Sequence, residues 1–222
     1  MSAWTEDLRE MARLAGPAIA IQLGMMAMGT VDIMMLGHVD HGKDVALGAT
    51  GIALQILNTI TIGGMGILLA LDPLIAQARG AGDKDAIART VQRGMVLAVL
   101  ITLPVIGLLW PRTTILSALE QGPDIVPIAA GYMLANFIGI LPFYVFVVMR
   151  STLQALTKLR PILIVVLAAN LTNAFGNWVL IYGNLGAPEM GAVGAGLSTS
   201  FGRIFMAVAL LWVGWKPLRD LL

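Results

Sequence analysis

Apolar residues run in six long stretches, at about residues 14–37, 46–71, 93–111, 125–149, 161–183 and 190–214. A helix that crosses a bilayer needs roughly 20 mostly apolar residues. The pattern therefore predicts six membrane-spanning helices and an all-α polytopic membrane protein. Turn and charge signals collect in the linkers "GHVDHGKD", "DPLIAQARGAGDKDAIARTVQRG", "PRTTILSALEQGPD", "RSTLQALTKLRP" and "GNLGAPEMG". In the second of these, Ile87, Val91 and Met95 fall near one helical face, with Lys84, Arg89 and Arg93 largely elsewhere. That spacing predicts a short interfacial helix running on into the third span. Pro17, Pro104 and Pro142 lie inside or beside spans and are expected to mark bends.

Composition agrees with the pattern. Of the 222 residues, 58% are hydrophobic and 12% charged, against about 25% charged in soluble domains. A net charge of +1 provides no basic surface for nucleic acid. The absence of cysteine removes disulfides, thiol chemistry and thiolate metal sites. The opening "MSAWTEDLREMARLAG" mixes acids and bases and lacks the pattern of a cleaved signal peptide.

The basic residues give an orientation. Arg9, Arg13, Arg79, Lys84, Arg89, Arg93, Arg150, Lys158, Arg160, Lys216 and Arg219 would share one side, with only Lys43 and Arg112 on the other. By the positive-inside rule both termini are expected in the cytoplasm. Residues 1–13 then form a cytoplasmic segment, 14–215 the transmembrane unit and 216–222 a cytoplasmic end. Arg203 remains inside span six and needs a partner or a short reach to the interface.

Two glycine motifs carry no chemistry. "GAVGAG" follows no predicted strand, so it is not a dinucleotide loop. "GAGD" at Gly80–Asp83 lies in a polar linker without the second membrane aspartate that an intramembrane protease needs. The glycine-rich runs "GGMGILLA" and "GAVGAGLSTS" are expected to serve helix packing. His38 and His41 are expected in a solvated loop, not at a metal.

Asp32 is the exception to the apolar pattern. From Leu14 to Gly37 there is no other formal charge. An unpaired carboxylate is costly in lipid and usually marks an ion or substrate path. Counting at 1.5 Å per residue puts it roughly 7–8 Å below the outer end of span one. Asn177 in span five and Thr199 in span six fall at a similar depth, as do Tyr132 and Asn136 in span four. Asn173 shares a helical face with Asn177, and Asn170 lies on the same helix. Asparagine and threonine alone are ordinary interhelical glue. With a carboxylate among them, the expectation is a polar cavity opening outward, in which Asp32 exchanges a proton for a cation. Burial disfavours the anion and suits that exchange.

The residues also resemble a known family. "GPAIAIQLGMMAMGTVDIMMLGH" resembles the first helix of the MATE multidrug and toxin extrusion transporters. "LDPLIAQARGAGDKDAIARTVQRG", "RSTLQALTKLRP" and "NLTNAFGNWVLIYGNLGAPEMGAVGAGLSTS" are similar to later segments of the same family, closest to its NorM-like branch. The resemblance implies export of cationic amphipathic drugs in exchange for H+ or Na+, in a bacterial inner membrane, without a cofactor. By matching position it implies a cation or proton site at Asp32, Asn173, Asn177 and Thr199, with any Na+ at Asp32 and Asn177, and a bend at Pro17. Tyr132 and Asn136, placed by their depth and not by the resemblance, would line the substrate cavity together with Asn170. Family members have twelve spans in two six-helix lobes, so this chain would be the N-terminal lobe. The second lobe would come from a missing C-terminal half, a separate chain or a second copy. The alternatives are a lipid-linked oligosaccharide flippase of the same superfamily and a non-transporting subunit or fragment.

Overall fold

A computed structural model describes residues 3–39 and 43–215. His41, Lys216 and Arg219 lie outside them, and the side chains of residues 3–14 and 43 are likewise not described. Among the described residues the chain is helical: α1 Ala3–Leu36, α2 Lys43–Leu68, α3 Leu71–Gly80, α4 Lys84–Leu109, α5 Arg112–Ala118, α6 Ile125–Phe137, α7 Ile140–Ala155, α8 Leu159–Leu180 and α9 Gly191–Val213. Five spans are long and apolar enough to cross a membrane, and α6 with α7 makes a sixth. Large apolar side chains such as Leu103, Leu171, Val208 and Trp212 stay exposed on the outside of the bundle, where lipid would cover them.

The helices differ from the sequence expectation in two places, after span two and within span four. The stretch after span two, expected as linker, is helix α3. Its Leu71 and Ile75 are buried, while its polar residues hide the helical pattern. The helix expected to run from the linker into span three is present, as the first part of α4. Asp83 caps it by accepting the Ala86 N–H at 2.8 Å, Ile87 and Val91 point inward, and Arg89 and Arg93 stay exposed. Span four is broken: α6 and α7 meet at 49°.

That break has a local cause. Pro142 lies in the first turn of α7, where a missing N–H is tolerated. A side chain at the joint, Gly139, would come within 2.9 Å of the Ser200 backbone and 3.0 Å of Arg203 Cδ. The joint is therefore pressed against α9. Pro17 and Pro104, by contrast, lie inside α1 and α4 without interrupting either helix.

Helix α9 is the central element. It packs on α6, α7, α8 and α1, and small residues let it do so. A Cβ on Gly194 would meet the Leu180 carbonyl at 2.5 Å, and one on Gly196 would meet the Tyr132 carbonyl at 2.8 Å. Two apolar cores flank it. One gathers Leu57, Leu109, Met133 and Tyr144 from α2, α4, α6 and α7. The other gathers Ile21, Phe146, Val166 and Met206 from α1, α7, α8 and α9.

Candidate functional site

Where α1, α6, α8 and α9 meet, Asp32 is fully buried, and each of the other three helices sends polar groups to it. Its Oδ1 accepts from Asn177 Nδ2 at 2.7 Å and Asn173 Nδ2 at 3.2 Å. Its Oδ2 accepts from the Thr199 hydroxyl at 2.5 Å and the Tyr132 hydroxyl at 3.3 Å. Asn173 Nδ2 also reaches Thr199 Oγ1 at 3.3 Å. Four donors on two carboxylate oxygens are what a buried anion needs, each charged hydrogen bond being worth about 1.5–3 kcal/mol.

The local sequence explains the convergence. Asn173 and Asn177 are one turn apart on α8 and present adjacent amides. Thr199 follows Gly194 and Gly196, whose missing side chains bring α9 against α8 and α6. Tyr132 lies beside that same Gly196 contact. One acceptor in the cluster is unused: Asn177 Oδ1 is buried without a partner.

The other expected site residues lie elsewhere. Asn136 is buried but donates to the Tyr132 carbonyl in its own helix, at 3.0 Å. Asn170 donates to the Gly24 carbonyl of α1 and to Val166 of its own helix, both at 2.8 Å, and so ties α8 to α1. Exposed His38 closes the end of α1 with Nδ1 at 2.8 Å from the Met34 carbonyl. Among the described residues no group of three or more histidines or acids could hold a metal.

The cavity, too, departs from expectation. Asp32 does not face an open space. A cavity of about 320 Å³ lies beside the cluster instead, between α1, α2, α7 and α9. Thr199 borders it, whereas Tyr132, Asn136 and Asn170 do not line it. Its wall also carries Arg203, one turn from Thr199 on α9, whose guanidinium lies 5.1 Å above the Phe143 ring. The sequence predicts that Arg203, inside span six, needs a partner or a short reach to the interface; the structure sets it on this cavity wall.

Comparison with known proteins follows the same outline. The MatE family profile matches residues 17–179. A probable multidrug resistance protein NorM of Mesorhizobium japonicum is 38% identical over 206 residues, covering 91% of this chain and 43% of that protein. The multidrug resistance protein NorM of Vibrio vulnificus is 31% identical, covering 96% and 46%. Among solved structures, the eukaryotic MATE transporter AtDTX14 superposes with a TM-score of 0.84 at 20% identity, covering 94% of this chain and 45% of that one. A mutant of the Vibrio cholerae MATE transporter VcmN gives 0.81 at 17% identity, covering 97% and 48%. The chain thus spans less than half the length of these relatives, which are transporters and not enzymes. Family profile, relatives and fold agree that the chain belongs to the MATE family, with the fold of one six-helix lobe.

Proposed function

We propose that this chain is the N-terminal lobe of a secondary active transporter of a bacterial inner membrane. It exports cationic amphipathic drugs in exchange for H+ or Na+ and has both termini in the cytoplasm. The observation that carries the reading is the buried carboxylate of Asp32 under four donors from three other helices. Asp32, Asn173, Asn177 and Thr199 form the cation or proton site, and Tyr132 completes its wall.

The hydrogen bonds suggest how the site senses its occupant. As a carboxylate, Asp32 uses all four donors. Once protonated it becomes a donor and needs an acceptor of its own. Asn177 Oδ1 is unpartnered, and turning that amide presents it to the new proton. Sodium makes a similar demand, because hard cations take oxygen ligands. The set fits it only after both amides turn their oxygens inward, joining the carboxylate and Thr199 Oγ1. The present hydrogen bonds and a bound Na+ therefore exclude each other. Either exchange changes what α8 and α9 hold, and Pro17, which leaves a carbonyl of α1 free, lets α1 respond by bending. A second six-helix lobe faces this one and completes the transport path.

The test uses the chain in nanodiscs at mildly acidic pH in weak buffer, with tetraphenylphosphonium as the cation. Binding releases about one proton per cation, read with a pH indicator, and Asp32→Asn abolishes the release. Proton release by Asp32→Asn equal to that of the wild type contradicts the reading. Competition by Na+ at constant pH distinguishes the two coupling ions.

A further inference from the structure

The cavity beside the Asp32 cluster has chemistry that a cation site does not call for. Its one ionised lining group is positive. Arg203 lies about halfway along α9, with Nη1 buried and without a hydrogen-bond partner. Among the described residues no carboxylate pairs with it. Asp32 acts on it through space but forms no direct ion pair with it, and both carboxylate oxygens accept from other side chains. What Arg203 has is the face of Phe143 and the close backing of Gly139. The rest of the wall is largely apolar and includes five methionines, among them Met28, Met65 and Met206.

We infer that this cavity binds a compact amphipathic organic anion, an aromatic body carrying one carboxylate, with the carboxylate on Arg203. A guanidinium presents a planar fork that matches a carboxylate bidentately, and its donors are strongest away from water. A half-buried guanidinium with no direct ion pair is costly in an apolar wall, so a ligand that pairs with it regains part of that cost as affinity. One positive group favours a monoanion, because a phosphate dianion would leave a charge buried. Methionines accept aromatic bodies of varied shape through soft sulfur contacts. The volume, about 320 Å³, is at the lower end of ordinary small-molecule sites, which favours one or two fused rings. The inference concerns binding and stands whether or not Asp32 exchanges protons.

The test uses the full 222-residue chain in phosphatidylcholine nanodiscs. Two probes share one shape: 1-naphthylacetate, an anion at neutral pH, and the neutral 1-naphthylacetamide. Equilibrium dialysis gives both affinities. The wild type binds the acid at least tenfold tighter than the amide. In Arg203→Gln the acid falls to the level of the amide, and amide binding stays as it was. Amide binding in the same sample reports an intact cavity. If Arg203→Gln loses both probes, Arg203→Met, whose side chain suits the methionine wall, becomes the deciding variant. Absent saturable acid binding, equal affinities in the wild type, or a neutral variant that keeps the tenfold preference overturns the inference.

Discussion

Two of the charges within the helical bundle meet α9 one turn apart: Asp32, held by Thr199, and Arg203, four residues further along. They have been treated in opposite ways. Asp32 is fully buried and receives four hydrogen bonds. Arg203 has an aromatic face, a cavity and an unpartnered nitrogen. A saturated charge is stable where it is and changes its surroundings only by changing its own protonation or taking a cation. An unsaturated charge waits for a partner. The contrast teaches that a charge in a span has at least two uses, and that its hydrogen-bond count distinguishes them.

Stability measurements can break this comparison. The largest effect is expected from Asp32→Leu. It strips the acceptor from four buried donors and is predicted to cost on the order of 3 kcal/mol or more, read as a fall in thermal midpoint in detergent. Asp32→Asn keeps the shape and some of the bonds, and should fold close to the wild type. A Leu variant as stable as the Asn variant would mean that the donors are not organised by the carboxylate.

Thr199→Val comes next. It removes the shortest bond to Asp32, at 2.5 Å, and is predicted to cost about 2 kcal/mol. Tyr132→Phe removes one of 3.3 Å and is predicted to cost about 1 kcal/mol or less. The order of the two decides whether bond length in the cluster tracks its energetics.

The smallest effect has the opposite sign. Arg203→Met removes an unpaired charge from an apolar wall, and in the absence of ligand it is predicted to stabilise the bundle by about 1 kcal/mol. If it destabilises as strongly as Asp32→Leu, Arg203 is a structural group and the comparison collapses.

Much of the fold was legible because spans are written in hydropathy. Where polarity and span overlap, the pattern fails. Helix α3 carries Asp72, Gln77 and Arg79 and buries only Leu71 and Ile75, too thin a stripe to announce a helix. Bends were expected at three prolines: Pro17 and Pro104 interrupt nothing, while Pro142 lies just after the break in the one broken span among the described residues, which turns at Gly139. That joint depends on α9, a neighbour hydropathy does not name.

The meeting of Asp32 with Tyr132, Asn173, Asn177 and Thr199 followed from depth, since residues at one level of a bundle can touch. Depth does not give azimuth. Asn136 shares a helix with Tyr132 but bonds back to its own backbone, and Asn170 turns to α1 instead of joining Asn173. The cavity was expected around the carboxylate. It lies beside it, because four donors close the space that a lone carboxylate would have left.

The most direct test of the central claim is infrared difference spectroscopy of the chain in lipid. The carboxylic C=O stretch of Asp32 is predicted to appear on acidification and to vanish when tetraphenylphosphonium or Na+ is added, and both changes should be absent in Asp32→Asn. A carboxyl band that responds to pH but not to either cation, or one that persists unchanged in Asp32→Asn, would contradict the account.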